Sequence, residues 1–313
     1  MNLPPATLST KIKKLNIPYD AGTTGRPLYR KDTLLKYFPL TSEAKVSTTI
    51  SIANQKGGES KTTLTQYLAQ ALSISGKKVL LIDMDPQASL TSNYIENPVS
   101  TIADLMGFTN VKKQIDEVIF NIESGNGISG NLDIIPSNIK LSAFSQILTV
   151  KDYKRLTKIV DIIRSRYDLI LIDCPPSLGP LLDNALVASD KVLIPIQCRE
   201  YSLLGVDLLA DSIHAIKENL NPRLEILGAV LSMYNPREIM SEKKEEIKEY
   251  FPLLKTHIRH RVSIPQNQTT KENYFKTHPK ESKMFLDLAR EILTIILYAQ
   301  FFACLRPDNR LFC

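Results

Sequence analysis

The sequence has no tryptophan and, in 313 residues, only four cysteines and four histidines. Cys174, Cys198, Cys304 and Cys313 form no C-x-x-C pair and have no histidine at metal-ligand spacing. That excludes a disulfide scaffold and a structural zinc site as organising elements, and predicts a reduced, cytoplasmic protein. The opening residues, MNLPPATLSTKIKK, lack the apolar core of a secretory signal. There is no internal repeat and no low-complexity tract. A long uninterrupted apolar run is also missing. The nearest approach, Leu286 to Leu305, is interrupted by Arg290, Glu291, Thr294 and Gln300. It is too short and too polar to span a bilayer, and few Lys/Arg line its polar face, so the expectation is a closing helix packed on a sheet with membrane contact unfavoured.

What is present is an ordinary globular composition, 43% hydrophobic and 23% charged, with room for one large α/β domain and a small appendage. The net charge of +6 is uneven: residues 1–45 hold eight Lys/Arg against three Asp/Glu. A basic head on a near-neutral body points to nucleic acid, against the plainer alternative of a solvated surface. Thr7 or Ser9 is expected to cap a short helix through Leu15, and Asp32 a second over Thr33 to Tyr37, with a turn at Gly22 and Gly25-Arg26-Pro27. The expected organisation is therefore a basic segment at 1–45, the main domain at 46–305 and a tail at 306–313.

The main domain is built around Thr48 to Asn93. Val46 to Ala53 is a short β-branched run suited to a strand buried on both faces. A glycine loop follows, then a helical pattern through Leu64, Leu68, Ala71 and Leu72 that Gly76 ends, and a second strand from Val79 to Ile82. Strand, glycine loop, helix and strand in that order put phosphate on the helix N-terminus. Against the pattern G-x-x-x-x-G-K-[ST], Gln55 and Ser60 replace both glycines. What remains is Lys56-Gly57-Gly58-Glu59-Ser60-Lys61-Thr62, with two lysines flanking the loop. Lys61 is expected on the β/γ-phosphates and Thr62 on Mg²⁺. The backbone of Gly57, Gly58, Glu59, Ser60, Lys61, Thr62 and Thr63 is expected to wrap the phosphates.

Further along, Leu169 to Ile172 reads as a strand apolar on both faces and ends in Asp173; Leu132 to Pro136, Val192 to Ile196 and Leu224 to Leu231 are the remaining strands. Helices are expected over Asp152 to Arg166, Leu203 to Ile216 and Ser241 to Tyr250, with Ser100 capping one in the Pro86 to Thr109 region. This alternation predicts an α/β fold with a doubly wound, mostly parallel sheet that binds ligands at the C-terminal strand ends.

Asn54-Gln55-Lys56-Gly57-Gly58, Asp83-Met84-Asp85-Pro86-Gln87, Leu169 to Ser177 with its Asp173-Cys174-Pro175-Pro176-Ser177 end, and Lys191 to Gln197 with Gly205 occur in one order. In them the chain resembles the ParA family of plasmid- and chromosome-partitioning ATPases, within the deviant P-loop group that includes MinD, over roughly residues 46 to 295. The resemblance implies an ATPase using ATP and Mg²⁺ and an ATP-dependent homodimer. Lys56 would reach the partner's phosphates, Asp85 would orient the attacking water, Asp83 would lie near the metal shell, and Asp173 would hold Mg²⁺ through water. Asn235 and Pro236 would lie near the adenine. The basic stretch Lys255 to Lys280, including Arg259, His260, Arg261, Lys271 and Lys276, would face DNA without sequence preference. Arg26, Arg30 and Lys31 fall in words similar to MerR-like helix-turn-helix segments. A ParB-type centromere-binding protein would be the partner, and a bacterial nucleoid the location. The resemblance implies slow hydrolysis; Ser60 and Glu59 depart from the family pattern and bear on the turnover rate more than on binding. Two other readings stay open: a MinD-like membrane-associated positioning ATPase, and a nucleotide-sensing autorepressor.

Overall fold

Short apolar strands separated by helices set the frame of this protein. The computed structural model describes residues 20–21, 27–28, 47–58, 60–107, 114–122, 131–197, 205–233, 241–270 and 273–304. The chain divides into two compact units, Met1–Val46 with Thr294–Cys313, and Ser47–Leu293. In the first, Asp20–Ala21 (β1) and Pro27–Leu28 (β2) pair antiparallel, Asp20 opposite Leu28. The helices expected through Leu15 and over Thr33 to Tyr37 lie outside the described residues, as do Arg26, Arg30 and Lys31.

The second unit begins with Thr48–Ile52 (β3), buried at every position. Lys61–Ile74 (α1) follows and ends in a Schellman motif. Gly76, at φ 81°, donates to the Ser73 carbonyl at 2.9 Å, and Lys77 donates to the Leu72 carbonyl at 3.1 Å. Val79–Asp83 (β4) leads to two short helices, Ser89–Ser92 (α2) and Ile102–Leu105 (α3). The cap of α3 is Thr101 and not Ser100: Asp104 reaches back to the Thr101 amide at 2.8 Å, a reciprocal arrangement that needs an acid three residues on. An edge strand, Phe120–Asn121 (β5), precedes Leu132–Ile135 (β6) and a helix at Lys140–Ile147 (α4).

The helix expected over Asp152 to Arg166 is α-helical only at Arg155–Ile163 (α5), with single 3₁₀ turns at Val150–Asp152 and Arg164–Arg166. Its stripe of Leu156, Ile159, Val160 and Ile163 is buried as the spacing requires. Leu169–Asp173 (β7), Pro180–Ala188 (α6), Lys191–Gln197 (β8), Val206–Asn219 (α7), Glu225–Ser232 (β9) and Ser241–Tyr250 (α8) complete the alternation.

The sheet order is β5-β6-β4-β7-β3-β8-β9, antiparallel only between β5 and β6. The strand before the glycine loop is thus central, and β7 slots between β3 and β4, so that Asp83 and Asp173 stand opposite each other in register. Pro195 is tolerated inside β8 because β3 stops at Ile52, and its carbonyl accepts the Asn54 side-chain Nδ2 at 2.6 Å.

Residues 252–258 run along the free edge of β9: Leu254 donates to the Ala229 carbonyl and Ile258 to the Leu231 carbonyl, each at 2.8 Å. Helices Ser263–Thr270 (α9) and Tyr274–Thr277 (α10) follow, the latter capped by the Asn273 side chain. The closing helix, Pro279–Cys304 (α11), starts earlier than its apolar run suggests because Pro279 sits in its first turn. It buries Phe285, Leu288, Ala289 and Ile292. Its Glu291 carboxylate accepts the Lys255 and Thr256 amides, both at 2.8 Å, and fixes the start of the basic stretch. Tyr67 of α1 packs on Tyr274 (centroids 4.9 Å apart) and Phe285 (5.0 Å), tying the loop helix to this C-terminal layer.

Gly228 in β9 has φ 149°, and a Cβ there would lie 2.8 Å from the Pro252 carbonyl. Gly228→Ala is expected to destabilise the fold by about 2–4 kcal/mol, through combined backbone strain and overpacking, as measured by urea or thermal unfolding.

Candidate functional site

The glycine loop is held from several sides. The Asn54 side chain accepts the Lys56 amide at 3.2 Å while its own amide grips β8, so the chain leaves β3 in a fixed direction. Lys61 is only 7% exposed, and its ammonium donates to the Lys56 carbonyl at 2.8 Å and closes the loop over itself. The Gln197 side-chain amide donates to the Gly58 carbonyl and lies 3.4 Å from the Met233 sulfur. Ser60, which stands where the pattern has glycine, adopts a backbone conformation that glycine favours: φ 66°, ψ 24°, left-handed, at the N-cap of α1. This is the small left-handed region open to L-residues, where a Cβ is strained. Its hydroxyl is buried with no hydrogen-bond partner among the described residues.

Below the loop, the Thr62 hydroxyl donates to Asp173 Oδ2 at 2.7 Å, and the Thr65 hydroxyl lies 3.2 Å from Oδ1. Burial first, and then the neighbouring Asp83, push the Asp173 carboxyl well above the ordinary carboxylate range; burial does the same to Asp83. Asp83 is fully buried and accepts the Asp85 amide at 3.0 Å, the Thr91 amide at 2.9 Å and the Thr91 hydroxyl at 2.7 Å. The strand ends at Asp83, so Asp85 lies beyond the alternation of β4. It sits in a turn, accepting the Gln87 amide at 2.9 Å.

These elements enclose a cleft of about 430 Å³. Its wall includes Gly57, Gly58, Ser60, Lys61, Thr62, Thr63 and Asp85 from the sequence reading. Ser89, Ser92, Asn93, Pro176 and Met233 were not singled out there. Lys56 lies at the loop's start, half-buried. The structure thus brings Lys61, Thr62 and Asp85 to one space, with Asp173 fully buried behind Thr62; neither Asp173 nor Asp83 forms part of the cleft wall. Glu59, Asn235, Pro236 and Lys271 lie outside the described residues. Arg259 and His260 are exposed just beyond the β9 edge, Lys276 is exposed on α10, and Arg261 is half-buried. Among the described residues no helix is long and apolar enough to cross a membrane.

A central parallel strand, a lysine-threonine loop on a helix N-terminus and an aspartate at the neighbouring strand end define a P-loop nucleoside-triphosphatase fold. A family model described as an AAA domain matches residues 47–226, more than half of the chain. The sporulation initiation inhibitor Soj of Bacillus subtilis is 36% identical over 251 residues, covering 78% of this chain and 97% of Soj. The chromosome partitioning protein ParA of Caulobacter vibrioides is 37% identical over 211 residues, 64% of this chain and 76% of that one. A Borrelia burgdorferi B31 structure, described as a plasmid partition protein bound to AMPPNP, aligns with TM-score 0.65 and 28% identity, over 81% of this chain and 99% of that one. The chain belongs to the ParA/Soj family of partition ATPases, a branch of the AAA-domain proteins.

Ser60→Gly is expected to stabilise the ligand-free protein by about 1 kcal/mol, read as a rise of roughly 2–4 °C in melting temperature. For Asp173, the raised native pKa means its carboxyl contributes stability in acid, and that contribution is lost as pH rises above the ordinary carboxylate range. Melting scans without nucleotide should fall with rising pH more steeply in wild type than in Asp173→Asn.

Proposed function

We propose that this chain is an ATP-dependent partition protein. It binds ATP with Mg²⁺ in the cleft, pairs with a second copy across the nucleotide and holds DNA without sequence preference. It hydrolyses ATP slowly, faster when a ParB-type partner engages it, and so segregates a plasmid or chromosome. The observation that carries this reading is the doubly lysine-flanked loop poised over the Thr62–Asp173 pair, with Asp85 on the facing wall.

The residues fit their ligands. The unpartnered buried hydroxyl of Ser60 in the cleft wall suits a phosphate oxygen, and the Thr62 hydroxyl beside the Asp173 carboxylate is a hard-oxygen set suited to Mg²⁺. Bound Mg²⁺ would neutralise charge on the β- and γ-phosphates. The chain's own residues do the rest. Lys61 exchanges the Lys56 carbonyl for phosphate oxygens. The N-terminus of α1 receives phosphate, and Asp85 orients the attacking water. Lys56 supplies a further cation to the partner's triphosphate, so the nucleotide favours the dimer and its hydrolysis removes that preference. The basic stretch, fixed at Lys255 and Thr256 by Glu291, presents Arg259 and His260 outward, and contacts of this kind to DNA phosphates weaken with salt.

Lys61→Ala is expected to abolish nucleotide binding, whereas Lys56→Ala keeps most ATP affinity and loses the ATP-dependent dimer in sedimentation. DNA retention should be greater with ATP than with ADP. A chain that stays monomeric with saturating ATP and Mg²⁺, even as Asp85→Ala, would contradict the dimer reading.

A further inference from the structure

The wall of the cleft that carries Asp85 is a loop, residues 84–95, containing only the single turn of α2. A loop this short in regular structure needs an anchor to hold a carboxylate in one place. The anchor is Thr91, which is 2% exposed and lies between two fully buried partners, Asp83 and Ser137. Its hydroxyl proton goes to Asp83 Oδ2 at 2.7 Å, and its oxygen accepts the Ser137 amide at 2.9 Å. Its own amide goes to the same Oδ2 at 2.9 Å. The other oxygen of Asp83 accepts the Asp85 amide at 3.0 Å. One carboxylate thereby pins both ends of the loop's functional portion, and Thr91 fastens it across to the end of β6. The hydroxyl has one donor and one acceptor in use, so no apolar residue can satisfy both partners. A second tie, Asn93 to Gln66 of α1 at 2.8 Å, holds the far end of the loop against the glycine-loop helix.

We propose that Thr91 is a positioning residue for ATP hydrolysis. Through Asp83 it sets the location of Asp85 relative to the cleft, and Asp83 acts here as the loop's anchor point, with its donors drawn from the loop itself. This rests on the reading above that Asp85 orients the attacking water. The loop's own placement does not depend on that reading. Thr91→Val keeps the shape and removes the hydroxyl, leaving the Ser137 amide without a partner and Asp83 short of a donor. Thr91→Ser keeps both bonds.

The test compares wild type, Thr91→Val and Thr91→Ser by steady-state ATP turnover, equilibrium ATP affinity and hydrogen exchange of peptides covering 84–95 without nucleotide. Thr91→Ala replaces the valine variant if that one does not fold. The expected result is that Thr91→Val lowers kcat about 10- to 100-fold, the scale of a misplaced catalytic group, with ATP affinity unchanged. Exchange over 84–95 should be faster in Thr91→Val, and Thr91→Ser should restore both rate and protection. Equal exchange in wild type and Thr91→Val overturns the proposal. So does a serine variant as impaired as valine, or a loss of ATP affinity equal to the loss of kcat. If wild type does not turn over ATP, the ATPase reading fails, and the exchange comparison alone decides the anchoring role.

Discussion

Two carboxylates, Asp83 and Asp173, face each other at the ends of neighbouring parallel strands with no exposed surface, and much of the site follows from that placement. Side-by-side burial of like charges is costly unless each collects donors or stays protonated. Asp173 takes its donors from α1, through Thr62 and Thr65, three residues apart on one helical face. Asp83 takes its donors from the loop that follows it, through Asp85 and Thr91. Each carboxylate therefore fastens one wall of the cleft to the sheet, the glycine-loop helix on one side and the Asp85 loop on the other.

Strain and cation placement sit on top of that frame. Ser60 occupies left-handed backbone at the start of α1, with its hydroxyl unpartnered, and Lys61 folds back on the Lys56 carbonyl. Both are arrangements that a phosphate group would improve. The cleft and the basic stretch also share a strand: β9 delivers Met233 to the cleft wall, and its Leu231 carbonyl receives Ile258, immediately before Arg259. Gln197 links the Gly58 carbonyl to Met233, so the loop touches the end of that strand directly.

Much of this was legible beforehand. Each buried parallel strand is a continuous apolar run, because a strand covered on both faces has no reason to alternate, and runs such as Val79 to Ile82 and Leu169 to Ile172 announce themselves. Lys61 and Thr62 are short-range pattern residues, readable from their spacing behind a strand end, whereas Lys56, Asp85 and Asp173 are singled out by the family resemblance. Less legible were elements stabilised by a partner distant in sequence. Thr91 looks like any loop threonine until Ser137, 46 residues away, is placed beside it. Gln197 reaches the glycine loop, and Met233 the cleft, only because β8 lies next to β3 and β9 next to β8 in the sheet. The cap at Thr101 was missed by one residue, since the deciding acid, Asp104, is local but reciprocal.

The sequence by itself determined the alternation of strands and helices, the phosphate-binding loop and its second lysine, because these depend on local periodicity and on residue types whose chemistry has few substitutes. Only the tertiary structure decided which strands are neighbours, and hence that two aspartates 90 residues apart would share one buried site and recruit Thr62, Thr65 and Thr91. Hydrogen-bond partners of buried charges are set by packing in three dimensions, and no local pattern in the chain encodes them.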